Sequence, residues 1–167
     1  MHKNLKPPIA QQRKRATRPD TNAVLACAAG MRSTALPGMS PRPLRGQNLG
    51  LLCAGGQAQA IEAFRDAAAG LGANVAIIRS DLNSASTAQT VLETARLLSR
   101  LYDAVECYGL PDDVADELAR TATVAVTSGH VAAAEQADLL ANLLEGPDTW
   151  ELKRHGLLQA LVMQCMC

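Results

Sequence analysis

Aromatic side chains are almost missing from this chain: one Phe, two Tyr and one Trp in 167 residues. Nucleic-acid readers stack bases on such rings, so a single-strand or RNA-reading role loses its main instrument. With 48% hydrophobic residues all the same, the core must be aliphatic, built from Ala, Leu and Val. Missing too is any uninterrupted apolar run of about 18 residues, and no basic region followed by an apolar stretch opens the chain. These absences lead to the expectation of a soluble, cytoplasmic protein with no membrane partner. Paired cysteines are also absent as a pattern. Cys27, Cys53, Cys107, Cys165 and Cys167 are odd in number and irregular in spacing, which suits small buried hydrophobes in a reducing compartment. Cys165-Met-Cys167 has no further ligand nearby, and neither His130 nor His155 has a Cys or carboxylate at ligand spacing. No metal site and no cofactor are expected on this basis.

The formal net charge of zero conceals an uneven distribution. Lys3, Lys6, Arg13, Lys14, Arg15 and Arg18 all precede the first acid, Asp20, which leaves ten cations against sixteen acids in the rest of the chain. That body repels polyanions, a second argument against nucleic-acid binding. With Pro7, Pro8 and Pro19 and no apolar periodicity, residues 1–19 read as a disordered basic tail. Residues 20–167 are long enough for one domain, which would bury roughly 70% of the surface of its unfolded chain.

Within that domain, helical and strand patterns alternate. Asp20 caps a helix over 22–32 with Val24, Leu25, Ala28 and Met31 on one face. A Pro-rich connection over 36–43 follows. Leu49–Cys53 is an apolar strand stopped by Gly55-Gly56, and 61–71 a helix closed by Gly72. Asn74–Ile78 is a second buried strand, 88–101 a helix, 103–108 a third strand, 112–121 its helix, 123–127 a fourth strand and 132–144 a helix. Gly146-Pro147 breaks the pattern in a short linker over 146–150, and 151–166 is a terminal helix with Leu157, Leu158, Leu161 and Val162 on its apolar face. Apolar strands alternating with helices predict a three-layer α/β fold: a doubly wound, four-stranded parallel sheet with helices on both faces, closed by the carboxyl-terminal helix.

Ligands of such sheets bind beyond the carboxyl ends of the strands at the switch point. The candidate pocket is therefore Gly55, Gly56, Gln57, Ala58 and Gln59 after the first strand, Tyr108 after the third, and Ser128, Glu135 and Asp138 after the fourth. The first turn contains no cation and no hydroxyl, so it offers an anion only the backbone N–H groups of a helix start. Tyr108 reads either as a hydrogen-bonding group for a ligand or as a plug. Glu135 and Asp138, at i and i+3, read as a solvated helix face or as an acid/base or cation pair. Ser128-Gly129-His130 carries a nucleophile and a base in sequence, but neighbouring loop side chains seldom face each other.

Several stretches resemble a known family. Leu44-Arg-Gly-Gln-Asn-Leu-Gly-Leu-Leu52 is similar to the opening strand of the amino-terminal, carbamoyl-phosphate-binding domain of the aspartate and ornithine carbamoyltransferases. Phe64 and Leu71-Gly72-Ala73 match the end of that domain's first crossover helix. Thr90-Val-Leu-Glu-Thr-Ala-Arg-Leu-Leu-Ser-Arg-Leu-Tyr-Asp-Ala104 matches the helix before its third strand. Glu106 and Gly109 fit the ornithine branch, and Leu140-Ala141-Asn142 falls on the family's Leu-Ala-Asp. Arg154-His-Gly-Leu-Leu-Gln-Ala-Leu-Val162 resembles the family's carboxyl-terminal helix, which implies that a few residues around Gly146-Pro147 stand where the amino-acid-binding domain would be.

The resemblance also implies which groups have changed. The family's Ser-Thr-Arg-Thr-Arg phosphate loop falls on Gln57-Ala58-Gln59-Ala60-Ile61, its strand-ending arginine on Tyr108, and its His-Pro-x-Gln motif on Glu135-Gln136-Ala137-Asp138. Three lost arginine contacts to a phosphate dianion amount to about 5–9 kcal/mol, or roughly 10³- to 10⁶-fold in affinity. The expectation is a catalytically inactive, carbamoyltransferase-like module with no catalytic residues. By resemblance it is a homo-oligomer, a trimer, with a partner protein as a further possibility. A small-molecule binder with an altered substrate, or a divergent carbamoyltransferase of amino-acid metabolism, are the alternatives.

Overall fold

The computed structural model describes residues 15–34 and 41–166. Its elements run α1 (Thr21–Thr34), β1 (Asn48–Cys53), α2 (Ala58–Gly70), β2 (Asn74–Arg79), α3 (Ala88–Leu101), β3 (Ala104–Tyr108), α4 (Asp112–Thr121), β4 (Ala125–Ser128), α5 (His130–Ala134), α6 (Ala137–Ala141) and α7 (Trp150–Met166). Four parallel strands lie in the order β2-β1-β3-β4. Leu49 stands beside Val75 on one side and Ala104 on the other, and Ala104 beside Ala125. The chain thus moves outward from β1 to β2, then crosses back to β3 and β4, and the switch point falls between the carboxyl ends of β1 and β3.

Period-two alternation divides the core between two faces of the sheet. Leu49 and Leu51 pack with Phe64, Ala67, Val24, Ala28, Leu157 and Leu161 beneath α1, α2 and α7. Leu52 and Val105 pack on the opposite face with Val91, Leu98, Val114 and Leu118 beneath α3 and α4. The single Phe is wholly buried, a burial that contributes about 1.5–3 kcal/mol. The expected docking of the terminal helix is observed: α7 packs on α1, α2, α5 and α6 and reaches β3 and β4. None of the described helices is long and apolar enough to cross a membrane.

Three local expectations are corrected. First, β2 is an edge strand rather than a buried one, and Ile77 is 42% exposed. Its apolar sequence reflects parallel pairing on one side without full cover. Second, residues 15–19 of the tail expected over 1–19 are described, and they lie against the sheet. Thr17 donates its N–H to the Val126 carbonyl at 3.0 Å and accepts from Ser128 N–H at 2.9 Å, covering the outer edge of β4. Arg18 pairs with Asp112 at 2.9 Å and Asp116 at 3.4 Å. Residues 1–14 of that expected tail lie outside the described residues, as does most of the Pro-rich connection's first half and Cys167. Third, the helix expected over 132–144 begins earlier, at His130, and divides at Glu135–Gln136, whose N–H groups bond three residues back to Ala132 and Ala133. Such tightening ends an α-helical turn.

Candidate functional site

Behind Cys53 the chain turns through Gly55 and Gly56, both at positive φ (86° and 102°). At Gly56 the reason is steric as well. A Cβ there would lie 2.0 Å from Cε1 of Tyr108, so the phenol ring occupies the space that a side chain on this turn would fill. Tyr108 ends β3 and is only 6% exposed. Its hydroxyl accepts the Gln57 N–H at 3.0 Å and donates to the Glu135 carboxylate. The Gln57 side chain makes no cap on α2. One N–H at the start of α2, that of the N-cap residue Gln57, is therefore taken by Tyr108. Burial, followed by the hydrogen bond to Glu135, pushes the Tyr108 phenol above its ordinary range, with the Gln57 N–H working the other way.

Beside this plug is a small polar cavity of about 110 Å³, lined by Gln57, Gln59, Ala60, Ala134, Glu135, Asp138 and Arg154. Pockets for small organic ligands usually span about 300–1,000 Å³. Arg154 was not expected here. It comes from α7, sixteen residues beyond Asp138, and its Nε lies 2.8 Å from Asp138 Oδ1. The guanidinium is thereby paired with the pocket's own acid. The resemblance of 154–162 to the family's last helix is the signal that could have placed it here. Of the residues expected in the pocket, Gln57, Gln59, Glu135 and Asp138 meet in it and Tyr108 forms its inner neighbour. Gly55, Gly56 and Ala58 are exposed on the turn. Ser128 stands apart. It is 7% exposed and its N–H serves the residue 17 carbonyl, so it belongs to the sheet edge and not to the cavity.

A second constellation lies deeper, and no spacing in the sequence announced it. Glu106 on β3 is fully buried. Its Oε1 accepts the N–H groups of His130 at 2.7 Å and Val131 at 3.1 Å. Its Oε2 lies 2.6 Å from Thr127 Oγ1, 3.1 Å from His130 Nδ1 and 3.6 Å from Cys165 Sγ. The carboxylate thus caps α5 from a distant strand, and Gly129 at φ 96° turns the chain so that both N–H groups converge on it. His130 faces Glu106 rather than Ser128, which removes the nucleophile-and-base arrangement that the sequence juxtaposed. The far ring nitrogen, Nε2, is buried without a hydrogen-bond partner. Cys165 on α7 is 0% exposed, and burial, reinforced by the Glu106 charge, pushes its thiol well above the ordinary range. Cys107, on the other face of the sheet, is shifted upward for the same reasons in the same order.

Two outcomes follow from this geometry. Glu106→Gln keeps the volume but turns an amide N–H₂ toward donors, and should lower unfolding free energy in urea by about 3 kcal/mol or more. Stability should also fall in alkali. Thiols of the unfolded chain ionise near 9.0 while burial keeps the Cys107 thiol protonated in the fold. Its contribution is complete below that pH and is lost above it, at about 1.4 kcal/mol per pH unit. Urea unfolding at about pH 7 and about pH 10 measures the loss, and Cys107→Ala should shallow the slope.

No family model matches the sequence. The catabolic ornithine carbamoyltransferase of Pseudomonas putida is 31% identical over 107 residues, covering 64% of this chain and 32% of that relative. The ornithine carbamoyltransferase of Borreliella burgdorferi is 26% identical over 128 residues, 77% of this chain and 39% of its own length. Among solved structures, the ornithine carbamoyltransferase of Burkholderia thailandensis superposes with a TM-score of 0.57 at 17% identity over 74% of this chain and 42% of that one. That of Pyrococcus furiosus gives 0.57 at 23% identity over 72% and 40%. The chain spans about a third to two-fifths of the length of these relatives. Strand order, sequence similarity and superposition agree that this chain carries a partial ornithine carbamoyltransferase-like domain.

Proposed function

We propose that this chain is a catalytically inactive carbamoyltransferase-like module that acts through assembly, with the former carbamoyl-phosphate site closed by its own side chains. The observation that carries this reading is Tyr108. It fills the volume over Gly56, accepts the N–H of Gln57 and is held by Glu135. The cavity's one guanidinium, Arg154, is paired with Asp138. An incoming phosphate would meet two carboxylates and break both pairings for the sake of one guanidinium. Supporting an assembly role, Ile77 on the edge strand and Leu97 and Leu101 on α3 expose large apolar side chains, which on soluble proteins often serve contacts with other chains.

A second reading has one observation in its favour. Arg154 is a cation at the mouth of the cavity, and a divergent carbamoyltransferase would use it on an anionic substrate after releasing Asp138. Calorimetric titration of the purified chain with carbamoyl phosphate, phosphate and ornithine separates the two. The inactive module gives no saturable heat and forms no carbamoylated ornithine. Saturable binding of carbamoyl phosphate that Arg154→Ala abolishes would establish the transferase reading instead. Light scattering on the same sample should report a trimer, and a monomer at all concentrations would remove the assembly role.

A further inference from the structure

The buried cluster at the base of α5 contains one acid, one imidazole and one thiol drawn from three separate elements. One ligand atom each of Glu106, His130 and Cys165 lie within 4.8 Å of one another. We propose that these three side chains form a structural site for a divalent cation of the zinc class, joining α7 to the sheet.

The donor set is the first argument. Carboxylate oxygen, imidazole nitrogen and thiolate sulfur are the ligands that zinc accepts, with bonds of about 2.0–2.3 Å, so neighbouring ligands around a tetrahedral ion stand about 3.3–3.8 Å apart. Glu106 lies 3.1 Å from the His130 ring and 3.6 Å from the Cys165 sulfur, and all three ligand atoms lie within 4.8 Å, so the ion is admitted once the three donors draw to that spacing. Charge is the second. Glu106 is 0% exposed, and the partners it bonds are backbone N–H groups, a hydroxyl, a thiol and an imidazole. A divalent ion with one carboxylate, one thiolate and one neutral imidazole makes a centre of zero net charge. Binding releases the thiol proton to solvent. The third argument is the His130 ring, which is fully buried with Nε2 bonded to nothing. Nδ1 is the ring nitrogen within the cluster, 3.1 Å from Glu106 Oε2, and with the ring proton on the far Nε2 its lone pair is presented to the ion. Thr127 and the two N–H groups already orient the carboxylate as outer partners of a metal site do.

The site is closed to solvent, so loading accompanies folding. The full chain, purified without chelator, is analysed for metal by mass spectrometry. It is also refolded with zinc or with cobalt(II). Stoichiometric zinc, a thiolate-to-cobalt charge-transfer band and a zinc-dependent rise in Tm are expected. Cys165→Ser should abolish the band while Cys27→Ser retains it. Absence of metal in the purified chain together with no band after refolding overturns the proposal, as does a band that survives Cys165→Ser. If Cys165→Ser fails to fold, the metal content and Tm response of the unaltered chain decide alone.

Discussion

A carboxylate buried out of reach of water must collect its hydrogen bonds from the protein, and Glu106 collects them from four different places. It draws on the start of α5, on β4 through Thr127, on the His130 ring and on α7 through Cys165. An unpaired charge in such a position costs far more than any single contact returns, so these elements are constrained to meet at one point. The entry angle of α5, the positive φ of Gly129 and the seating of the last turn of α7 all follow from that requirement. Because α5 is thereby fixed, Glu135 at its end is delivered to Tyr108, and the buried network and the surface cavity form one continuous structure.

The switch point of the sheet supplies the setting for the second constraint. Parallel strands leave a crevice where β1 and β3 diverge, and related folds use the backbone of the following helix to hold anions there. In this chain the crevice is filled from within. A phenol at the end of β3 demands a residue without Cβ at position 56 and satisfies the Gln57 N–H. Asp138 and Arg154 then neutralise each other at the mouth. A site whose phenol, carboxylates and guanidinium already have protein partners offers little binding energy to an anion, since its hydrogen bonds to those groups replace existing ones.

Much of the architecture was legible in the sequence because it depends on local periodicity. The strands at Leu49–Cys53 and Asn74–Ile78 and the helices over 88–101 and 112–121 carry apolar repeats that admit one reading. Their alternation dictates parallel pairing. Errors arose where a distant partner overrides local pattern. The helix expected over 132–144 starts at His130 because Glu106 caps it from β3, and breaks near Glu135, which Tyr108 holds. Likewise Thr17 lies in a basic, Pro-flanked stretch with no strand pattern, yet the open edge of β4 gives its backbone a partner. Gln57, Gln59, Glu135 and Asp138, named together from the sequence, line one cavity because carboxyl strand ends converge in any doubly wound sheet. Arg154 escaped because its proximity is created by the return of α7.

The sequence by itself determined the class of fold, the aliphatic character of its two cores and the absence of cations from the turn after β1, since these are properties of composition and of spacing along the chain. Tertiary structure alone decided that Tyr108 closes that turn, that Arg154 is matched by Asp138, and that Glu106, His130 and Cys165 share one buried point. The reason is physical: hydrogen bonds and charge pairs act over a few ångströms of space, and residues 16 to 59 positions apart become neighbours only when the sheet and its last helix are packed.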